Sequence, residues 1–182
     1  GGCRYDLGMQ YFMPQNWGSD NTNAYDRLHI QEGTLTAYPQ SSMGAHVSAH
    51  SFGLETKFNV ASIGAFGYEF DITKSTKSEL AIIKKQVEFY KKHRMLLQYG
   101  DYYKLGDGVA KSDIGGWMTV AEDKSEAIAV IFDKRNYRGA SRPRHTFKGL
   151  DNDALYKVSM RKQSNVGEKM TFEFTAYGDV LN

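Results

Sequence analysis

The sequence predicts two fold classes in series: an α/β half built from the last strands and helices of a (β/α)8 TIM barrel, followed by an all-β half folded as an antiparallel β-sandwich. Two observations predict this. From Met9 to about Gly100, apolar runs of strand length alternate with segments of helical period, the order of a β/α fold. From Asp101 onward, period-two alternation takes over, with turn-forming clusters between the runs. The first half supplies only a few of the strands a closed barrel needs, so the rest are expected upstream of Gly1. The change of texture falls at Arg94 to Gly100, which gives residues 1–97 to the barrel portion and 98–182 to the β-sandwich.

Taken in order, Met9 to Met13 is an apolar and aromatic run of strand length, ended by Pro14. A helix is expected from about Thr22 to Gly33, because Ala24, Leu28 and Gln31 recur at helical spacing and Asn21 or Thr22 stands ready to cap it. "LTAYP" and "MGAHVS" read as a second strand region, punctuated by Pro39 and Ser41-Ser42. Residues 54–70 read as one buried helix, although Gly64 and Gly67 each disfavour it by about 1 kcal/mol relative to alanine. The clearest element follows. In "STKSELAIIKKQVEFYKKHRMLLQYG", Thr76 and Glu79 form a capping box, and Leu80, Ile83, Val87 and Tyr90 fall on one face. Lys84, Lys85, Glu88, Lys91 and Lys92 fall on the other, a solvated basic side.

In the second half, "GWMTVAEDKSEAIAVIF" is a hairpin around a polar loop at 122–126. "ALYKVSM" sets Leu155, Lys157 and Ser159 against Tyr156, Val158 and Met160. "KMTFEFTAY" sets Met170, Phe172 and Phe174 against Thr171, Glu173 and Thr175. "KGLDNDALY" is a turn rich in Asp, Asn and Gly.

Composition narrows the function. With 41% hydrophobic and 24% charged residues, the chain has the material for a real core and is not disordered. Lys+Arg 23 against Asp+Glu 21 leaves a net charge of +2, too little to attract nucleic acid through bulk electrostatics. No run approaches the roughly 20 apolar residues of a membrane helix, so no membrane partner is expected. Cys3 stands alone and forms no internal disulfide, and the chain starts with Gly-Gly and reads as a piece of a longer protein.

One stretch raises a chemical question. In "YFMPQNWGSDNTNAYDRLHIQ" a carboxylate, Asp20, follows Trp17 and Ser19 in the joint between a strand and a helix. If the strand belongs to a barrel, that joint opens at the rim where barrel enzymes keep their chemistry. Trp17 offers a flat apolar platform, and a carboxyl beside it is suited to general-acid work. The bland alternative is that Asp20 or Asn21 simply caps the helix. Other candidates carry less. His46 and His50 lack a third ligand at metal spacing, so no metal is expected. Gly1-Gly2 with Gly8 lacks the lysine of a phosphate loop, Cys3 has no base partner, and Asp151 and Asp153 belong to a turn. His29, His93 and His145 carry no signal.

Longer blocks go further. "GGCRYDLGMQYFMPQNWGSDNTNAYDRLHIQEGT", "YPQSSMGAHVSA", "ASIGAFGYEFDIT", "FYKKHRMLLQYGDYYKL" and "AEDKSEA" closely resemble bacterial α-galactosidases of glycoside hydrolase family 36, in one order along the whole chain. The resemblance implies a retaining hydrolase of terminal α-D-galactosides such as melibiose, raffinose and stachyose, with no cofactor and no metal. It implies that Asp20, the first Asp of a Trp-x-Ser-Asp-[Asp/Asn]-Thr block, is the catalytic acid/base, and that Gly1, Trp17, Ser19 and Asp20 bind substrate. It places the nucleophile upstream of Gly1, so that the isolated chain is inactive. It also implies a cytoplasmic homo-oligomer, commonly a tetramer, for the full-length protein. Two positions depart from the family pattern: Cys3 stands where glycine is usual, and Asn23 stands where many members carry Asp. Met43 and His46 read as packing inside the barrel. The competing functions are galactosyl transfer, as in raffinose-synthase relatives, and a non-catalytic carbohydrate-binding or structural module formed by the β half. Trp117 and the scattered tyrosines make no clear sugar platform for the latter.

Overall fold

A computed structural model of the chain describes residues 11–21, 23–48, 52–135, 145–164 and 171–182. The chain divides into two compact units, Gly1–Gly100 and Asp101–Asn182.

The first unit runs β1 (Asn16–Trp17), α1 (Ala24–Leu35), β2 (Met43–Ser48), α2 (Leu54–Ala61), β3 (Ala65–Glu69) and α3 (Lys77–Tyr99). Its strands form a parallel sheet in the order β1-β2-β3, with α1 and α2 as the crossovers. All six residues of β2 are buried, as expected for a central parallel strand covered on both faces. Ala45 and Val47 pack on Ala61 of α2 and on Phe66 and Tyr68 of β3. Gly44, His46 and Ser48 point the other way, in register with Trp17, Gly67 and Glu69 respectively on the neighbouring strands.

Four expectations change. The strand expected at Met9 to Met13 is not there: Met9 and Gln10 lie outside the described residues, and Tyr11 and Phe12 are helical and about 80% exposed. Pairing starts beyond Pro14, which has no N–H to give, at Asn16. "LTAYP" forms no strand either. Thr36 still donates its N–H to Glu32, and Ala37 and Tyr38 both donate to Thr34, so the segment is the frayed end of α1. The cap of α1 is Asn23, whose side chain accepts from the Tyr25 and Asp26 N–H groups; neither Asp20 nor Asn21 caps it, and Thr22 lies outside the described residues. The single helix expected over 54–70 stops at Ala61, and Ala65–Glu69 is a strand. A side chain at Gly64 would run into the Met43 carbonyl oxygen, so this glycine lets the chain turn tightly from α2 back into the sheet.

Helix α3 carries its capping box, with the Glu79 N–H donating to Thr76 Oγ1 and the Thr76 N–H to Glu79 Oε2. Its buried stripe runs through Ile83, Gln86, Tyr90 and Leu97, while Leu80 is 40% exposed. Gln86 displaces the expected apolar choice because it has partners. It accepts from the Tyr68 hydroxyl and donates to Glu55 Oε2.

The second unit runs β4 (Asp101–Leu105), β5 (Ile114–Val120), β6 (Ala127–Asp133), β7 (Leu155–Ser159), β8 (Glu173–Tyr177) and a short α4 (Gly178–Leu181). β4-β5-β6 is an antiparallel meander containing the expected hairpin, and β7-β8 is a second antiparallel pair. Leu105, Met118, Val120, Leu150 and Leu181 form its core, with Tyr156, Val158 and Ala176 against it. Phe174 shares a face with Val158 by register yet remains 46% exposed, and Phe172 is 50% exposed, so the aromatic row of the last strand is only partly inward.

The two glycines of the α2–β3 region separate cleanly. Gly64→Ala is expected to destabilise by about 1–3 kcal/mol, because backbone must shift to admit the methyl group. Gly67→Ala, where a Cβ meets nothing within 4 Å, should stay within about 0.5 kcal/mol in urea unfolding.

Candidate active site

The sequence folds locally so that β1 is only two residues long. After Trp17, the Gly18 N–H makes a last bond to the Gly44 carbonyl at 3.0 Å, and the chain leaves the sheet. The loop from Ser19 to Asn23 therefore stands at the C-terminal end of the parallel sheet, the end where α/β folds bind ligands. Its hydrogen bonds are local. The Asn21 N–H donates to Ser19 Oγ, the Asn23 N–H to Asn21 Oδ1, and Asn21 Nδ2 to Asp26 Oδ2. Asp20 is exposed, and its carboxylate makes no hydrogen bond or ion pair with a described residue.

Beside the loop lies a cluster that was not expected. Trp17 and Gly44 are register partners, and because Gly44 has no side chain the indole lies over the next residue on that face, His46. The two rings stack at 4.5 Å with 24° between planes, and Trp17 remains 54% exposed. The His46 side chain is 4% exposed, with Nε2 2.7 Å from Glu69 Oε2 and 3.3 Å from a terminal nitrogen of Arg27. Burial pushes the His46 imidazole below its ordinary pKa, the Arg27 charge pushes the same way, and the Glu69 and Asp20 carboxylates oppose it. At neutral pH, His46 is therefore neutral. The short approach to Glu69 is a hydrogen bond from Nε2–H to the carboxylate rather than an ion pair, and it assigns the ring proton to Nε2. With Nε2 occupied, the Arg27 contact is close packing.

Arg27 itself is 2% exposed and reaches from α1 to the loop. A small cavity lies behind it, lined among others by Gln31, His46 and Lys57.

The structure thus brings together Trp17, Ser19 and Asp20 at one sheet end, and adds Arg27, His46 and Glu69. Gly1 and Cys3 lie outside the described residues, as does His50, so His46 is seen without it. Among the described residues no group of three His, Cys, Asp or Glu side chains is arranged to hold a metal. Asp151 accepts from the Asp153 N–H as a turn residue, and Trp117 is 1% exposed and offers no platform. Among the described residues no helix is long and apolar enough to cross a membrane. One signal for Arg27 was available in the sequence. It sits at helical spacing within the stripe Ala24, Leu28 and Gln31, and a cation on a buried stripe needs partners.

Comparison with known proteins places these features in context. Residues 1–100 match the family described as Melibiase, and residues 115–182 match the glycosyl hydrolase family 36 C-terminal domain. Alpha-galactosidase AgaA of Geobacillus stearothermophilus is 46% identical over 165 residues, 87% of this chain and 22% of that protein. Alpha-galactosidase Mel36A of Lactobacillus acidophilus is 40% identical over 164 residues, 86% of this chain and 22% of that protein. The crystal structure of a variant of AgaA in complex with stachyose superposes with a TM-score of 0.86 at 40% identity, covering all of this chain and 24% of that one. Another variant, in complex with raffinose, gives 0.83 over 97% of this chain and 24% of that one. The chain therefore spans under a quarter of the length of these relatives.

The lowered pKa of His46 has a consequence for stability. The unfolded chain takes up the proton at about pH 6.5 and the folded chain only at lower pH, so the stabilisation is present above that value and is lost as pH falls below it. His46→Gln, which cannot titrate, is expected to show a smaller loss of stability between about pH 7 and pH 5.5 than the wild type in urea titrations. Equal losses would contradict the assignment.

Proposed function

The chain belongs to the Melibiase family, its second half matching the glycosyl hydrolase family 36 C-terminal domain, and from that premise we propose that it is the C-terminal part of a retaining α-galactosidase. In this reading β1, β2 and β3 are the last strands of a (β/α)8 barrel over residues 1–97, and residues 98–182 form the β-sandwich that follows. The substrates are oligosaccharides with a terminal α-galactosyl group, supported by the relatives' names and by the AgaA variants solved with stachyose and raffinose.

The observation that carries the reading is Asp20: an exposed carboxylate, unused by the helix cap, on the loop that leaves the C-terminal end of a parallel strand. Retaining glycosidases need one carboxylate to attack the anomeric carbon and a second to protonate the departing oxygen. Asp20 takes the second role. Its proton passes to the glycosidic oxygen as the bond to the anomeric carbon breaks, and in the second half it withdraws a proton from the water that releases galactose. The nucleophile belongs to the portion of the full-length enzyme that precedes this chain, in keeping with the share of its relatives that the chain spans. Trp17, more than half exposed with one face held by His46, suits the apolar face of a sugar ring, and Ser19 stands beside it in this chain's part of the pocket.

In the full-length enzyme, Asp20→Asn is expected to lower kcat/KM on raffinose by about 10²- to 10⁴-fold, the usual worth of a general acid. Equal turnover by variant and wild type would remove Asp20 from the mechanism. The 182-residue chain alone is expected to release no galactose from the same substrate.

A further inference from the structure

The two carbonyls that flank Asp20 share one donor group. The Arg27 Nε–H donates to the Asn21 carbonyl at 2.5 Å, and a terminal N–H of the same guanidinium donates to the Ser19 carbonyl, also at 2.5 Å. Ser19 precedes Asp20 and Asn21 follows it. A guanidinium holds its donors in a rigid plane, so bonding two carbonyls across a single intervening residue fixes both the place and the rotation of that residue's backbone. A lysine ammonium, a single point with freely turning donors, cannot impose both. The fork is itself fixed. It is buried, and its terminal nitrogen packs against His46, whose ring is held in turn by Glu69 and by the Trp17 stack.

We propose that Arg27 is a positioning residue for the reaction, and that its grip on the Ser19 and Asn21 carbonyls sets the direction from which the Asp20 carboxyl meets the leaving oxygen. This rests on the reading of Asp20 as the acid. Arg27 touches no substrate in this account and acts only through the loop. A displacement of about 1 Å in a reacting group lowers a rate by up to about 10²-fold, and among the described residues the other side-chain hydrogen bonds of the loop run within it and to the first turn of α1. Releasing the fork therefore lets the carboxyl drift while the rest of the pocket keeps its shape.

The test uses the full-length enzyme with Arg27→Lys, Arg27→Gln and Asp20→Asn, each assayed as kcat/KM on raffinose and on a series of aryl α-galactosides whose phenols leave with increasing ease. kcat/KM reports the first bond cleavage, where proton donation matters most for poor leaving groups. Active enzyme is counted by covalent titration of the nucleophile. For both Arg27 variants the expected result is a loss of about 10- to 100-fold on raffinose that shrinks to within about threefold on the aryl galactoside with the best leaving group. A structural role predicts the same loss on every substrate, and that result, or no loss at all, overturns the proposal. Failure of both variants to yield folded enzyme assigns Arg27 to the fold and overturns it as well. Asp20→Asn separates the two claims. If it shows no dependence on the leaving group, the reading of Asp20 falls and the positioning role with it. If it shows the dependence and the Arg27 variants do not, only the positioning role falls.

Discussion

A buried cation is costly unless it is given partners, and in the first unit the guanidinium of Arg27, 2% exposed, is given them by the loop that follows β1. Removing such a charge from water costs several kcal/mol even after relaxation. The compensation comes from backbone: two loop carbonyls that have left the sheet because β1 ends after two residues. Carbonyls at the end of a parallel strand would otherwise face water or need another strand. Each side of this arrangement supplies what the other lacks, and the loop that carries Asp20 gains a fixed conformation without itself being buried. The loop is held from below, while the Asp20 carboxylate stays open to solvent.

The parallel sheet divides the labour. One row of side chains on β2 and β3 is given to packing, with Ala45, Val47, Phe66 and Tyr68 on the α2 side. The opposite row is polar or absent: Gly44, His46 and Ser48, with Gly67 and Glu69 in register. A fully buried strand with only one apolar row is built to present something on the other. Here that row presents an imidazole kept neutral by its burial, which lets it lie under an indole and beside a guanidinium without adding a second positive charge to Arg27.

Legibility followed the range of the interactions. Helix α3 was readable because both halves of its capping box and its periodic stripe lie within a few residues of one another, and the β5–β6 hairpin for the same reason. The first strand was misplaced because Tyr11, Phe12 and Met13 look like core and are not, and only the pairing partner Met43, distant in sequence, says where the ladder begins. The helix expected across Gly64 failed on a contact with Met43 that no local pattern records. At the candidate site, the family blocks single out Asp20 with its neighbours Trp17 and Ser19, and the structure sets the three at one end of the sheet. Arg27, His46 and Glu69 meet from three elements, at separations that no motif spans. The polarity of a buried stripe was the available clue, and it announces that partners exist without saying which.

The most direct measurement is a crystal structure of the full-length enzyme, disabled at its nucleophile and holding an intact α-galactoside. The account predicts an Asp20 carboxyl oxygen about 2.6–3.2 Å from the glycosidic oxygen, with the Arg27 fork still on the Ser19 and Asn21 carbonyls. A different carboxyl at that oxygen, with Asp20 turned to solvent, would contradict it.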